Sequence, residues 1–300
     1  MLCRPESVDL VPAIANRIVT SLPAAIEANP QVAIVANAAP FHVPTAQRLA
    51  EIGCHILVEK PLADRLDGIE HLIATCGMMQ RVLMVGYTLR FSPSLREMVR
   101  LVSKGAVGRV LHVAAEIGQY LPDWRPDADY REGVTARAEL GGGAVFELSH
   151  EIDIALWLGG RVTAVTASMG RVSDLGIDTE DVADLMLEFE SGARASIHLD
   201  LLQRIPFRRT RVVGSLGTLE WDGISDTLRL GLPELGWRLL HTPALEQRNG
   251  LYLSELEHFL ACVDGRVDPI VSADVARQVL TIALAAKQSA VTRKTVAIHV

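Results

Sequence analysis

The sequence predicts an α/β chain in two parts. Residues 1–92 read as a parallel, doubly wound sheet that lacks its usual N-terminal unit, and residues 93–300 as an α+β domain with an open, mostly antiparallel sheet. Three observations predict this. In the first part, short continuous apolar runs alternate with helical stretches, as strands buried on both faces do. In the second, polar and apolar residues alternate along successive runs joined by short turns, the pattern of antiparallel strands with one wet face. A length of 300 residues, 49% apolar and 22% charged, suits two domains with large cores.

The elements follow in order. Residues 32–36 (Val-Ala-Ile-Val-Ala) are a strand, and Pro44 suits the first turn of a helix running to about Ile52. Residues 55–58 are the next strand, 66–76 a helix, and 82–87 a third strand. Pro93 opens a helix to about Lys104 that joins the two parts. Residues 110–117 are a strand, and a polar loop over 120–138 leads to a glycine-started helix. Strands are expected over 162–169, 182–189, 193–201, 208–213 and 218–221, with Asp184, Glu188 and Glu190 marking the wet face. Two helices close the chain, over 251–263 and 273–291, the second with Ser272 as its N-cap.

The net charge of −7 argues against nucleic acid as the main partner, because phosphate binding needs a basic face. Cys3, Cys54, Cys76 and Cys262 have neither metal-type nor disulfide-type spacing, which fits a reducing cytoplasm, and no metal is expected. No run approaches the roughly 20 apolar residues of a membrane span, and no signal peptide is evident, so no membrane partner is expected.

The most informative stretch is Leu140-Gly-Gly-Gly-Ala-Val-Phe-Glu-Leu-Ser-His-Glu-Ile-Asp. Glu147, His150 and Asp153 are spaced by three, so one helix carries them on one stripe. A core helix seldom holds such groups unless they find partners or do chemistry. From this segment alone, a buried histidine satisfied among capping acids is an equal alternative. The second signal is His55-Ile-Leu-Val-Glu-Lys-Pro, a buried strand ending in Glu59-Lys60-Pro61. Strand ends of open α/β sheets are where ligands bind, so Lys60 and His150 offer a cation and a proton acceptor for a hydroxyl.

At Glu59-Lys60-Pro61, at Gly86-Tyr87-Thr88-Leu89-Arg90-Phe91-Ser92-Pro93 and at the triple-glycine helix, the chain resembles the glucose–fructose oxidoreductase / inositol dehydrogenase (Gfo/Idh/MocA) family, over nearly its whole length. The resemblance implies a Rossmann domain followed by an α+β domain whose open sheet packs in a homo-oligomer. It implies hydride transfer between NAD or NADP and a hydroxyl of a sugar, sugar derivative or polyol. His150 would take the proton and Lys60 would stabilise charge on the oxygen. Asp153 would orient the site or bind a further hydroxyl. Glu147 would do either, although the family often has an Asp four residues before the His, where this chain has Phe146. Cofactor contacts fall on Arg4, Ala36, Asn37, Glu59, Lys60 and Tyr87, and His42 is read as structural. Arg4 stands where an arginine accommodates a 2′-phosphate, which points to NADP. Tyr120, Trp124 and Arg125 in the loop before the glycines suit a sugar, with an amino-sugar or nucleotide-sugar implied by the resemblance.

A Rossmann domain opens with a strand and a glycine-rich turn, yet this chain has no glycine before Gly53. The sequence is expected to start near the end of the second strand, from a start codon placed downstream or a truncated gene. The strand at 32–36 would then lack a neighbour on one side. The alternative function is a non-catalytic ligand-binding or regulatory member, or a chain that has lost cofactor binding. A further expectation is that Leu185, Leu187, Phe189, Ile197, Leu199 and Leu201 present an apolar sheet face to another subunit.

Overall fold

The computed structural model describes residues 1–2, 17–241 and 249–299. Its first part holds helix α1 (Leu22–Glu27), strand β1 (Val32–Val35), helix α2 (His42–Ala50), strand β2 (His55–Glu59), helix α3 (Ile69–Met78) and strand β3 (Leu83–Gly86). The three strands form a parallel sheet in the order β1-β2-β3. Side chains alternate across it. Ile56, Val58 and Val85 join Leu49, Leu72 and Cys76 in the main core, on the side of α2 and α3. Leu57 and Met84 face the other way, into a separate cluster with Phe91 and Phe259. Among the described residues β1 is an edge strand, with Val32 40% and Ile34 57% exposed.

Helix α4 (Pro93–Ser103) starts where its proline predicts, with the Ser92 hydroxyl capping the Leu95 N–H at 3.2 Å. Then come β4 (Val110–Gly118), a loop of single 3-10 turns, and helices α5 (Ala144–Glu147) and α6 (His150–Gly159). Strands β5 (Val162–Gly170), β6 (Val182–Phe189), β7 (Arg194–Asp200), β8 (Phe207–Gly214), β9 (Thr218–Asp222), β10 (Thr227–Leu232) and β11 (Gly236–His241) follow. Helix α7 (Asn249–Val263), helix α8 (Ala273–Thr292) and strand β12 (Val296–Ala297) complete the fold. The second sheet has nine strands in the order β11-β10-β9-β8-β4-β7-β6-β5-β12. Among its described strands only β4 and β7 pair in parallel. Ser272 caps α8 as expected, accepting from the Val275 N–H. The β10–β11 hairpin was not expected: Gly231, Pro233 and Gly236 interrupt its pattern, and Trp237 and Leu239 are exposed.

The expectation of an apolar sheet face toward another subunit is corrected. Leu185, Leu187, Phe189, Ile197, Leu199 and Leu201 are all buried in the chain's own core. The long helix α8 lies on β5, and α6 lies on β4 and β7, so the helices of this chain cover that side. The opposite side carries Asp184, Glu188, Arg194, Ser196 and His198 around one exposed Met186.

The glycine-started helix is also corrected. It is two helices, because Leu148 (φ −100°, ψ 25°) leaves helical geometry between α5 and α6. Of the three glycines, Gly142 lies so close to the loop before it that a Cβ would stand 2.2 Å from the Val134 carbonyl oxygen. Gly143 has φ +105°, a conformation open to glycine.

Candidate active site

Lys60 directly follows β2 and reaches across to the second part of the chain. Its Nζ donates to the Glu147 backbone oxygen at 2.6 Å and to Glu147 Oε1 at 2.9 Å. Thr135 Oγ1 donates to the other oxygen of the same carboxylate at 2.9 Å. Burial alone would push the Glu147 carboxyl up, but the Lys60 ammonium and the Lys60 and Thr135 hydrogen bonds hold it below its ordinary value. Glu147 is thus an ionised anchor that fixes where the ammonium sits. The exposed Arg125 adds its charge from the loop.

His150 is the first residue of α6. Its ring meets Tyr87 edge-on, with centroids 5.4 Å apart. Burial, then the charges of Arg208 and Lys60, hold its pKa well below the ordinary value. The imidazole is therefore neutral at neutral pH, the form that accepts a proton. Its Nδ1 is buried with no hydrogen-bond partner. The Tyr87 hydroxyl donates to Ser149 at 3.4 Å, and burial, with Asp153, pushes its pKa up, so it stays a neutral phenol. Lys60 and His150 share this neighbourhood without a direct hydrogen bond between them among the described residues.

Asp153 is placed differently. It is 1% exposed, and Arg90 grips both its oxygens, at 2.8 and 2.7 Å. The Arg90 guanidinium also lies 4.3 Å from the Trp157 ring centroid. Both oxygens of Asp153 are thus engaged by Arg90. Two residues earlier, the buried Glu151 is held in the same bidentate way by Arg208, at 2.7 and 3.1 Å. This pair brings the start of β8 beside the start of α6.

Glu59 lies at the end of β2, where burial pushes its carboxyl up while Lys60 opposes the rise. Ala36 and Asn37 follow β1 and are exposed; the Asn37 amide donates to Thr45 Oγ1 at 3.0 Å. His42 is buried within hydrogen-bond distance of the Pro61 carbonyl (2.8 Å) and the Asn37 carbonyl (2.7 Å). It ties the turn after β1 to the turn after β2, the structural role expected of it. Tyr120 carries the Arg204 guanidinium 3.6 Å over its ring. Trp124 is half-buried, its indole N–H without a partner. Arg4 lies outside the described residues. Two cavities, of about 540 and 270 Å³, flank the Asp64 turn and the glycines; Lys60 and His150 line neither.

Sequence reasoning missed Arg90, Arg208, Glu151 and Thr135. Arg90 lay inside a stretch already singled out, and its buried neighbours Leu89 and Phe91 were the signal.

A parallel sheet whose strand-end lysine is anchored by Glu147 and lends its charge to a buried neutral histidine, followed by an open, mostly antiparallel sheet, is an arrangement of the Rossmann-type oxidoreductase class. Residues 8–87 match the family model described as an oxidoreductase family with an NAD-binding Rossmann fold. Residues 95–220 match that of the GFO/IDH/MocA C-terminal domain. The chain belongs to the Gfo/Idh/MocA oxidoreductase family. It is 25% identical to a myo-inositol 2-dehydrogenase of Thermotoga maritima over 279 residues, covering 87% of this chain and 78% of that protein. It is 30% identical to a 1-carboxy-3-chloro-3,4-dihydroxycyclohexa-1,5-diene dehydrogenase of Comamonas testosteroni over 174 residues, covering 56% of this chain and 42% of that protein's length. An aldose-aldose oxidoreductase from Caulobacter crescentus, solved with glycerol, superposes with a TM-score of 0.84 at 26% identity. That match covers 99% of this chain and 90% of the other.

Proposed function

We propose that the chain is an NAD(P)-dependent oxidoreductase acting on a hydroxyl of a sugar, sugar derivative or polyol. The observation that carries this reading is a buried imidazole kept neutral beside an ammonium that Glu147 holds in place. His150 accepts the hydroxyl proton. Lys60 donates a hydrogen bond to the same oxygen and stabilises the charge developing there. Glu147 and Thr135 orient Lys60, and Asp153 acts only through Arg90. Tyr120, Trp124 and Arg125 contact the substrate. Of these, the unpartnered Trp124 N–H suits a hydroxyl oxygen.

Residues 1–92 would bind the nucleotide, and residues 93–300 would supply the substrate side and the subunit contacts. The nicotinamide nucleotide fits the ends of β1 to β3, where Ala36, Asn37, Glu59, Lys60 and Tyr87 would hold it. When bound, it supplies the hydride acceptor. Phosphate binding by glycine-turn amides finds no counterpart before Gly53 in these 300 residues. Arg4 would favour NADP over NAD. A homo-oligomer through the open sheet and a cytoplasmic site complete the proposal, the latter supported by the unpaired buried thiols of Cys54, Cys76 and Cys262. Among the described residues no helix is long and apolar enough to cross a membrane.

The test is a screen of myo-inositol, other polyols and aldoses with NAD and NADP, followed by His150→Gln. Turnover should fall about a hundredfold or more, while the nucleotide dissociation constant stays within about twofold. Unchanged turnover in that variant removes His150 from the mechanism.

A further inference from the structure

Three strand ends and the start of a helix meet at one edge of the second sheet. Gly118 ends β4 and stands opposite Asp200 of β7 on one side and Phe207 of β8 on the other. Next to Phe207, Arg208 reaches Glu151, the residue after His150 on α6. Past this edge the segments that follow β4 and β7 stay paired. The Gln119 N–H donates to the Asp200 carbonyl at 3.2 Å, and the Leu121 N–H to the Leu201 carbonyl at 3.0 Å. The Asp200 carboxylate braces the second segment. It accepts from the Leu202 N–H (2.8 Å), the Gln203 N–H (3.0 Å), the Gln203 amide (2.7 Å) and His198 (3.1 Å). A Cβ on Gly118 would stand 2.1 Å from the Gln203 amide nitrogen, so the brace sits where a glycine leaves room for it.

This braced segment presents Arg204. Its guanidinium carbon lies 3.6 Å from the centroid of the Tyr120 ring. An aromatic ring takes one face of the planar group and leaves its N–H edges free to fork an anion. Arg204 is exposed and, among the described residues, has no ion pair and no hydrogen bond. The carboxylates of α5, α6 and the end of β7 are all taken. Lys60 and Thr135 bond the two oxygens of Glu147, Arg208 those of Glu151, Arg90 those of Asp153, and the brace those of Asp200. Spare donors remain: the third N–H of Lys60, which spends two on Glu147, the indole N–H of Trp124, and the Arg204 fork. Each hydroxyl of a ligand brings a proton that needs an acceptor, whereas a carboxylate or a phosphate ester brings acceptors. The reacting hydroxyl has its acceptor in His150, and the spare groups just named are donors.

We propose that the substrate carries an anionic oxygen group, a carboxylate or a phosphate ester, and that Arg204 binds this group while stacked on Tyr120. The proposal deepens the sugar or polyol oxidoreductase reading and rests on it for the hydroxyl chemistry; the anion site itself does not need it. Two residues of chain span at most about 7 Å, so Tyr120 stays near the strand end that Arg208 ties to α6. A sugar acid or sugar phosphate then places its hydroxyl at His150 and its anion at Arg204. Arg204 is a specificity residue: it selects the charged ligand and takes no part in the proton or hydride transfer.

The experiment is calorimetric titration of the full chain with gluco-, galacto- and manno-configured uronates, the matching hexose 6-phosphates and the parent aldoses. It is run on the wild type, Arg204→Met and Arg204→Lys. At least one anionic sugar should bind about tenfold or more tighter than its aldose, the worth of one charge-assisted hydrogen bond. The class that binds tighter tells a carboxylate from a phosphate. Arg204→Met keeps an apolar chain on Tyr120 and should bring the ratio of anionic to neutral affinity to within about twofold of one. Arg204→Lys keeps the charge without the fork and should retain part of the ratio. No preference for any anionic sugar, or a preference that survives Arg204→Met, overturns the proposal. Should Arg204→Met not fold, the salt dependence of the wild type decides: a preference that shrinks with ionic strength supports an exposed guanidinium, and one indifferent to salt overturns it. A binding preference without hydride transfer to NAD or NADP refutes the oxidoreductase reading and leaves the anion site standing. Oxidation of neutral sugars with no such preference does the reverse.

Discussion

Replacing Asp153 by Asn keeps the volume of the side chain and removes its charge. Arg90 is then left as a buried guanidinium, its side chain 6% exposed, facing a neutral amide. The wild-type pair makes two charge-assisted hydrogen bonds, at 2.8 and 2.7 Å. The Asn carbonyl can still accept one of them, and the Trp157 ring still faces the cation. What is lost is one charged bond, worth roughly 1.5–3 kcal/mol, and the neutralisation of a buried cation. Removing one member of a buried pair costs about 3–5 kcal/mol, so the lower end, about 3 kcal/mol, is the expected loss. Urea unfolding followed by tryptophan fluorescence reads it as a midpoint lowered by about 1 M, for a slope of about 3 kcal/mol per molar. Arg90→Met with Asp153→Leu should recover most of the loss, because apolar residues of similar size leave no charge stranded. A stability within about 1 kcal/mol of the wild type for Asp153→Asn refutes the reasoning. A collapse of turnover at unchanged stability would instead return Asp153 to direct contact with the reacting groups.

Gly142→Ala should lower the melting temperature by several degrees, on the order of the 1–3 kcal/mol cost of overpacking, because the added Cβ meets the Val134 and Thr135 carbonyls at 2.2 and 2.5 Å. An unchanged melting curve would show that the loop yields freely. His198, bonded to both Asp200 and Asp184, has its pKa raised to about 9, chiefly by the Asp200 hydrogen bond. Its stabilisation is present below its ordinary pKa of 6.5 and fades as pH rises through 9, so subtracting the His198→Gln stability curve from the wild type should leave a contribution that declines across that window. A flat difference curve would place the charge elsewhere.

The order of elements was legible in the sequence because burial leaves a local trace. The strand at 55–58 stands as β2, and the helix begun at Pro93 starts there in the structure. The sheet face toward the helices was misread for a physical reason. Alternation along β6 and β7 shows that one face is apolar, but not what lies on it. The cover comes from α5 and α6, with α8 on the neighbouring β5, and no local pattern in a strand names the helix that lies on it. The β10–β11 hairpin escaped because its strands are short, exposed and broken by glycine and proline.

In the site, spacing predicted one polar stripe on one helix. The break at Leu148 and Ser149 sends the three groups to different partners: Glu147 to Lys60, His150 toward Tyr87, and Asp153 to Arg90. No proline or glycine marks that break, so the periodicity gave no warning. The partners themselves were better marked than the break. A carboxylate on an apolar helix calls for a buried donor, and a cation set among apolar residues calls for a buried anion. Arg90 stands between Leu89 and Phe91, and Arg208 directly after Phe207. Matching such arginines to the acids of α6 would have assigned Asp153 and Glu151 to structure. It would also have left His150 as the group on that helix with a ring nitrogen still to satisfy.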